Sequence, residues 1–336
     1  MEELQFVDRR HTNSEKWDAP IRQAGRDDII SMSTADMDFR VADSVTDAMR
    51  KYVDFGVFGY YNEPESYYDA FIRFERDLHG DEIRREWIRF APGCVPAFNW
   101  LIRVMTKPGD GILIQSPVYP PFFSSPIQNG RRLVVSELVN DHGRYSVDFD
   151  DFERKIVEGG VTCFILCSPH NPVGRVWTRK ELERMLAICR AHRVLVISDE
   201  IHHNILMEGF RHVSALQFPE YRDMVAVLMA PSKTFNLASL QNSLVIIPDE
   251  KLRALYQDET GRLHTGGGNA LGYIAAEAAY NDGREWLAAV LKTVAENDRY
   301  LRARFAAELP KAEISELQGT YLMWINMAAY LEPAQV

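Results

Sequence analysis

The sequence predicts an α/β fold in which a mostly parallel sheet is flanked by helices. Short apolar runs such as residues 161–167 and 225–229 have the length and composition of strands buried on both faces. Amphipathic segments such as residues 179–192 separate these runs, and strands that alternate with helices form parallel sheets. Polar residues follow several of the strands, which predicts a ligand site at one edge of the sheet.

The pattern of the first eighty residues predicts an N-terminal arm followed by two helices. Residues 1–30 are polar and lack periodicity, which is typical of an irregular arm. Apolar side chains at helical spacing predict helices over residues 42–52 and 66–79. Between these helices, residues 56–61 form an aromatic loop with glycines, which indicates a turn with special backbone angles.

A strand, a glycine and a helix follow in an order that suits anion binding. Residues 87–90 read as a strand, Gly93 breaks it, and a helix continues through Met105. The start of such a helix presents free N–H groups and a positive dipole end to an anion. Glycine is also common before ordinary helices, so this order indicates a phosphate site only together with other signals.

The rest of the large domain repeats the strand and helix alternation. Thr178 and Glu181 have the spacing of a capping box, which marks the start of one helix. The elements predicted from this pattern are strands over residues 111–115, 131–135, 161–167, 193–198 and 225–229, and helices over residues 148–157 and 179–192.

Composition excludes several classes of partner. The formal net charge is −10 without any basic block, which argues against nucleic acid or an anionic membrane as the main partner. Apolar runs are too short for a membrane span, and the first residues do not resemble a signal peptide. The scattered cysteines are expected to be buried free thiols, which fits the reducing cytoplasm. The four cysteines are Cys94, Cys163, Cys167 and Cys189.

Four polar side chains follow predicted strands by one to four residues. They are Tyr119, Asn171, Asp199 and Lys233. Each one alone has a plainer interpretation, such as a solvated lysine or a surface acid. The carboxyl ends of parallel strands share one edge, so the four are expected to converge where such folds bind ligands.

This set of side chains suits a substituted pyridine ring. The ring could stack on Tyr119, while Asp199 could hold a protonated ring nitrogen. Asn171 could donate to a phenolic oxygen, and Lys233 could form a Schiff base with an aldehyde. With the phosphate on the amides after Gly93, the set predicts pyridoxal phosphate as the cofactor.

A metal site is not predicted from the two adjacent histidines. His202 and His203 follow the strand that ends near Asp199. Adjacent side chains on a strand point in opposite directions, so the pair is a poor chelate.

Several motifs resemble those of a known enzyme family. Residues 168–175 (SPHNPVGR), 198–202 (SDEIH) and 232–236 (SKTFN) are similar to the signature of fold-type I pyridoxal-phosphate enzymes of the class I and II aminotransferase family. Residues 35–39 (ADMDF) and 57–60 (VFGY) resemble the PatB/MalY branch, the cystathionine β-lyase-like C–S lyases. The similarity runs from about residue 30 onward.

The resemblance implies a role for each candidate residue. Lys233 would bind the cofactor covalently and then move the proton on the substrate Cα, and Asp199 would pair with the ring nitrogen. Asn171 and His202 would neighbour the ring oxygen, and Tyr119 would stack on the ring. The remaining candidates are assigned to the phosphate, namely the amides of Cys94 and Val95, the hydroxyl of Ser232, and Tyr60 from the partner subunit of a homodimer.

The sequence departs from the family pattern at four places. Gln241 stands where many members carry an arginine, Ser239 stands where a glycine is usual, and Ser33-Thr34 replaces a frequent Trp-Val. Members also carry, after the segment that matches residues 319–325, an arginine that binds the substrate carboxylate, and no residue here matches it. The small domain is therefore expected to lack its C-terminal part, or else another group takes the role of that arginine.

The resemblance also implies two domains and a reaction. Residues 42–282 are expected to form the large cofactor-binding domain, and residues 1–41 and 283–336 the arm and a smaller α/β domain. The expected enzyme is a carbon–sulfur β-lyase that cleaves cystathionine or a related cysteine thioether to pyruvate, ammonia and a thiol. An aminotransferase and a catalytically weak regulatory protein that binds pyridoxal phosphate are the alternatives.

Overall fold

A computed structural model describes residues 3–32 and 34–331 of the chain. Ser33 and the two ends of the chain lie outside the described residues, so part of the predicted arm and small domain is not described. The strands are β1 (Ile88–Ala91), β2 (Gly111–Ser116), β3 (Arg132–Glu137), β4 (Val139–Asp141), β5 (Arg144–Ser146), β6 (Val161–Cys167), β7 (Leu195–Asp199), β8 (Val225–Met229), β9 (Ser243–Ile246), β10 (Glu313–Ile314) and β11 (Ile325–Asn326).

Eleven helices accompany these strands in the described part of the chain. They are α1 (Asp18–Ala24), α2 (Asp43–Phe55), α3 (Glu65–His79), α4 (Cys94–Met105), α5 (Pro121–Gln128), α6 (Phe149–Glu158), α7 (Arg179–Ala191), α8 (Pro231–Thr234), α9 (Glu250–Arg262), α10 (Ala270–Asp282) and α11 (Arg284–Glu308). The six predicted strands and five predicted helices are all present, with ends shifted by at most three residues.

One seven-stranded sheet forms the centre of the fold, in the order β1-β9-β8-β7-β6-β2-β3. Strands β3, β2, β6, β7 and β8 are parallel, and β9 and β1 pair antiparallel at the other side. The prediction of a mostly parallel sheet flanked by helices is therefore confirmed.

Two apolar layers cover the two faces of this sheet. Strand β8 shows the division, because Val225, Val227 and Met229 contact one layer and Ala226 and Leu228 contact the other. Successive side chains of a strand alternate between faces, and every residue of β8 is buried. The four cysteines are free and buried, as predicted.

The prediction of an irregular N-terminal arm is wrong for residues Asp18–Ala24, which form α1. This helix is held by its own first residue, because the carboxylate of Asp18 accepts hydrogen bonds from the amides of His11 (2.7 Å) and Ser14 (2.9 Å). A segment this short depends on such tertiary contacts and carries little periodicity of its own.

The arm is anchored beside the segment that carries Lys233. The side-chain oxygen of Asn236 accepts from the Met37 amide (3.1 Å), and its amide group donates to the carbonyls of Met37 (3.0 Å) and Phe39 (3.1 Å). Asn236 has a φ of 58°, a left-handed conformation that asparagine tolerates better than most residues. These bonds fix the arm across the edge of the sheet.

The division into domains at residues 42 and 282 stays a prediction. The first turns of α11 pack into the same apolar layer as the large domain, and the indole nitrogen of Trp286 donates to the Arg40 carbonyl (2.9 Å). Among the described residues, no helix combines the length and the apolar character that crossing a membrane requires.

Candidate active site

A cavity of about 680 Å³ lies at the carboxyl ends of β6, β7 and β8 and at the N-terminus of α4. This is the position at which open α/β sheets bind ligands, and the volume suits a small cofactor with its substrate. Eight of the nine site residues chosen from the sequence line it, namely Lys233, Asp199, Asn171, Tyr119, His202, Cys94, Val95 and Ser232.

Lys233 is placed by the short helix α8, which begins at Pro231 directly after the buried strand β8. Its amine donates a hydrogen bond to the carbonyl of Ala35 in the arm (2.7 Å). Burial lowers the pKa of Lys233, although Asp36, Cys94 and Asp199 oppose the shift. A lysine with a lowered pKa is more often unprotonated and is therefore a better nucleophile and base.

Asp199 is the last residue of β7 and is buried. Burial raises its pKa to about 7, although a hydrogen bond from the Ile201 amide (3.2 Å) and the charge of Lys233 act in the opposite direction. Within the described ranges this carboxylate makes no ion pair. A cation bound in the cavity would stabilise its charged form, so Asp199 is suited to hold a protonated ring nitrogen.

His202 and His203 point to different sides of the loop that follows β7. His202 lines the cavity, whereas the ring of His203 contacts Glu75, outside the cavity. Burial, Lys233 and His203 lower the pKa of His202 to about 3, so its ring is neutral at physiological pH. Its Nδ1 atom is buried and has no hydrogen-bond partner among the residues described, which leaves it available to a ligand.

The N-terminus of α4 forms the anion-binding end of the cavity. Gly93 is the N-cap residue and offers no side chain to the first amides of the helix, and no other side chain of the described chain caps this end. Cys94 and Val95 are the first helical residues, and Ser232 lines the same cavity. Burial raises the pKa of the Cys94 thiol well above its usual value, so no negative charge there competes with an anion.

Asn171 and Tyr119 also line the cavity. The backbone amide of Asn171 donates to the Cys167 sulfur (3.3 Å), and the side chain lines the cavity. Tyr119 is about one-third exposed and meets the edge of Phe122, with ring centroids 6.3 Å apart. Burial raises the pKa of Tyr119, so its phenol is neutral and its ring face is open to stacking.

Tyr60 is the one candidate that lies outside the cavity. It belongs to the loop between α2 and α3 and is fully exposed to solvent. Gln241 is also exposed and does not line the cavity. Lys233 is the single lysine or arginine among the lining residues that the structure describes, so no arginine faces a substrate carboxylate there.

Sequence reasoning missed several residues of the site. The hydroxyl of Tyr321 donates to the Ala35 carbonyl (2.8 Å), which is the carbonyl that also accepts from Lys233. This contact joins the arm to the C-terminal segment beside the site. A main-chain carbonyl leaves no signal in a sequence. Asn242 follows the loop after Lys233 and accepts from the Tyr67 hydroxyl (2.7 Å), while its buried Nδ2 atom has no partner in the described structure.

Apolar residues of the C-terminal segment (residues 319–325) line part of the cavity. At the end of this segment Ile325 starts β11, which pairs with β10. Trp324 is oriented by a hydrogen bond from its indole nitrogen to the Tyr145 hydroxyl (3.0 Å). The other apolar residues at this end are Met32, Leu322 and Met323.

Comparisons with known proteins agree with this geometry. Cystathionine beta-lyase PatB of Bacillus subtilis (strain 168) is 38% identical over 324 residues, which cover 96% of this chain and 84% of the relative. Cystalysin from Treponema denticola, whose structure contains pyridoxal 5'-phosphate, has a TM-score of 0.93 and 32% identity, and the match covers 97% of this chain and 83% of that chain.

A further solved structure is similar over almost the whole chain. The PLP-bound C–S lyase from Staphylococcus hominis has a TM-score of 0.92 and 33% identity, with 99% of this chain and 84% of that chain covered. The family model described as aminotransferase class I and II matches residues 27–336. The chain therefore belongs to the class I and II aminotransferase family.

Proposed function

We propose that this chain is a pyridoxal-phosphate-dependent carbon–sulfur β-lyase that acts on cystathionine or a related cysteine thioether. The observation that carries the proposal is one cavity that joins the amine of Lys233, the unpaired carboxylate of Asp199 and the N-terminus of α4. The 38% identity to a cystathionine beta-lyase supports this chemistry over others that the fold could host.

The residues present fit pyridoxal phosphate. Asp199 is a buried carboxylate that makes no ion pair with the described residues, His202 has a buried Nδ1 without a partner in the described chain, and the cavity has room for a ring. Asp199 would hold the ring nitrogen, Asn171 and His202 the ring oxygen, and Tyr119 the ring face. The phosphate would be held by the amides of Cys94 and Val95 and the hydroxyl of Ser232.

When bound, the cofactor supplies an electron sink for negative charge that develops at the substrate Cα. Lys233 removes the proton from Cα, which its lowered pKa favours. The thiolate then leaves from Cβ, and the three-carbon fragment is released as pyruvate and ammonia after hydrolysis. The carboxylate of Asp199 would stay charged beside the protonated ring nitrogen. The apolar residues around Trp324 that line the cavity would accommodate the thioether side chain.

The alternative is an aminotransferase, because the matching family model carries that description and every cofactor contact would be the same. The two reactions differ in where Lys233 returns the proton and in whether a keto acid is needed.

Tyr60 is proposed to reach the cofactor phosphate of a partner subunit in a homodimer. The end of α2 and the loop that carries Tyr60 expose several apolar side chains, which include Phe55, Val57 and Phe58. Soluble monomers rarely expose such a cluster, so a second copy of the chain is the expected cover. A cytoplasmic location is proposed as well, and it is supported by the four free, buried thiols.

The first prediction concerns the product. The purified holoenzyme given cystathionine without any keto acid should release pyruvate, ammonia and one thiol in equal amounts, because β-elimination needs no amino acceptor. Thiol release and pyruvate are measured by colorimetric and coupled assays. Strict dependence of turnover on an added keto acid would establish the aminotransferase alternative instead.

The second prediction concerns Lys233. Lys233→Ala should abolish the visible absorbance of the covalently bound cofactor and its fixation by borohydride, because no other amine lines the described cavity. Lyase activity should fall by about 10²–10⁴-fold, the usual contribution of a general base. Lys251→Ala, at an exposed position of α9, is the control and should behave as the wild type. A cofactor still fixed by borohydride in Lys233→Ala would show that the assignment is wrong.

The third prediction follows from the raised pKa of Asp199. Its folded-state pKa of about 7 lies above its ordinary value of 3.8, so the cofactor-free protein loses stability as the pH rises through this window. Asp199→Asn removes that charge. The cofactor-free variant should therefore resist urea better than the cofactor-free wild type at pH 8, and the difference should shrink as the pH falls toward 4.

Urea midpoints at several pH values measure this difference. Asp141→Asn, in the exposed strand β4, is the matched control and should show no such pH-dependent gain. With the cofactor bound, Asp199→Asn should bind it more weakly than the wild type. A stability difference independent of pH would mean that Asp199 is not a buried, uncompensated carboxylate.

The fourth prediction concerns Tyr60. If Tyr60 serves the site of the partner subunit, a mixture of Lys233→Ala chains and Tyr60→Ala chains that exchange subunits should contain heterodimers with one intact site. Such a mixture should be clearly more active than either variant alone. Light scattering checks that both variants are dimers, and failure of the exchanged mixture to gain activity would place Tyr60 in its own chain's site or in none.

A further inference from the structure

A second cluster of ligand-bearing side chains lies on the opposite side of the loop that follows β7. Glu75 and His79 are four residues apart on α3 and therefore share one face of that helix. His203 comes from the loop that also carries His202. One carboxylate oxygen and one nitrogen from each histidine all lie within 4.8 Å of one another.

The ring of His203 is held in the orientation of a metal ligand. Its Nδ1 atom lies 2.6 Å from the Glu200 carbonyl, which can only accept, so Nδ1 carries a proton and donates. The other nitrogen, Nε2, then lies 3.0 Å from a carboxylate oxygen of Glu75 and 2.9 Å from the side-chain nitrogen of Asn204. Histidines that bind metals usually donate their second ring N–H to a carbonyl or carboxylate in this way.

Glu75 is a fully buried carboxylate in which one of the two oxygens lacks a hydrogen-bond partner within the described chain. Its Oε1 atom has no hydrogen-bond partner in the described part of the chain, and Oε2 contacts His203. A buried carboxylate is costly unless a cation and further donors compensate it. An ion bound between Glu75 and the two histidines would neutralise this charge and use the free oxygen.

A separate cavity of about 410 Å³ gives access to the cluster. His79, Asn204 and His212 line it, and the Oδ1 atom of Asn204 lies 2.7 Å from Nε2 of His79. The Nε2 atom of His212 donates to the carboxylate of Glu200 (2.8 Å), and its buried Nδ1 atom has no partner among the described residues. The cavity therefore offers an entry path and room for a water ligand.

We propose that Glu75, His79 and His203 bind one divalent transition-metal ion, with zinc as the ion that suits them best. Two imidazoles and one carboxylate form a frequent zinc ligand set, and the fourth position would be filled by water from the cavity or by Asn204. The pair His202–His203 is not the chelate, since only His203 takes part. The ion would fix α3 against the loop that follows Asp199 and carries His202, so its role is structural.

The site also contacts the segment of Lys233. The amide of Asn204 lies 3.3 Å from the hydroxyl of Thr234, the residue after the lysine. A bound ion would thus tie together helix α3, the loop after β7 and helix α8, which come from distant parts of the sequence. The expected consequence is a higher unfolding temperature of the holoenzyme with zinc, without a change in the reaction that it catalyses.

The test is zinc binding by the purified holoenzyme. Titration calorimetry after removal of adventitious metal should show one zinc ion per chain, and the unfolding temperature should rise on addition of zinc chloride. Glu75→Gln and His79→Gln should each bind zinc at least about tenfold more weakly. His142→Ala is the matched control, because this exposed histidine pairs with Glu313 far from the cluster, and it should bind zinc as the wild type does.

Two outcomes would overturn the proposal. One is a wild type that binds no zinc, in which case a protonated His203 paired with Glu75 explains the 3.0 Å contact. The other is binding that the Glu75 and His79 variants leave unchanged. Anomalous diffraction from wild-type crystals soaked in zinc needs no variant, and it should show a peak among the three side chains with zinc–nitrogen distances of about 2.0–2.1 Å. A peak only elsewhere would also contradict the assignment.

Discussion

The parallel register of β6, β7 and β8 is the constraint on which the rest of the site depends. Cys167 at the end of β6 pairs with Asp199 at the end of β7, and Asp199 pairs with Leu228 near the end of β8. The segments that follow these strands therefore start at one edge and carry Asn171, His202 and Lys233 into one cavity. Without this register the same residues would be scattered, because they are separated by tens of residues in the chain.

Burial at that edge sets the electrostatics of the cavity. The same loss of hydration raises the pKa of Asp199, lowers that of Lys233 and lowers that of His202. Each of these shifts disfavours a charge that lacks a close partner. A single ligand with a cationic ring nitrogen, an anionic phosphate and an aldehyde would give these buried groups the partners that they lack. The cavity is therefore suited to one cofactor.

Much of the fold could be predicted because buried strands and amphipathic helices leave periodic patterns. Strand β8 has five consecutive apolar residues, and α7 has a capping box at Thr178, so both were found. Strand β9 was missed, although the apolar run before Pro248 was a usable signal. Helix α1 was missed because its seven residues are stabilised by contacts that no local pattern reveals.

Long-range contacts also limit how much of the candidate site the sequence can predict. Lys233, Asp199 and Asn171 could be found because each follows a recognisable strand. The Ala35 carbonyl that binds Lys233 could not, since it comes from a main-chain group 198 residues away. The contact between Glu75 and His203 spans 128 residues, and neither residue stands in a motif with the other. Contacts of this range depend on how helices pack on the sheet, which a single sequence does not specify.

A crystal structure of the protein with pyridoxal phosphate tests the central claim most directly. The account predicts a covalent bond from Nζ of Lys233 to the cofactor, the Asp199 carboxylate within hydrogen-bond distance of the ring nitrogen, and the phosphate on the amides of Cys94 and Val95. A ring bound elsewhere, or one whose nitrogen faces away from Asp199, would contradict it.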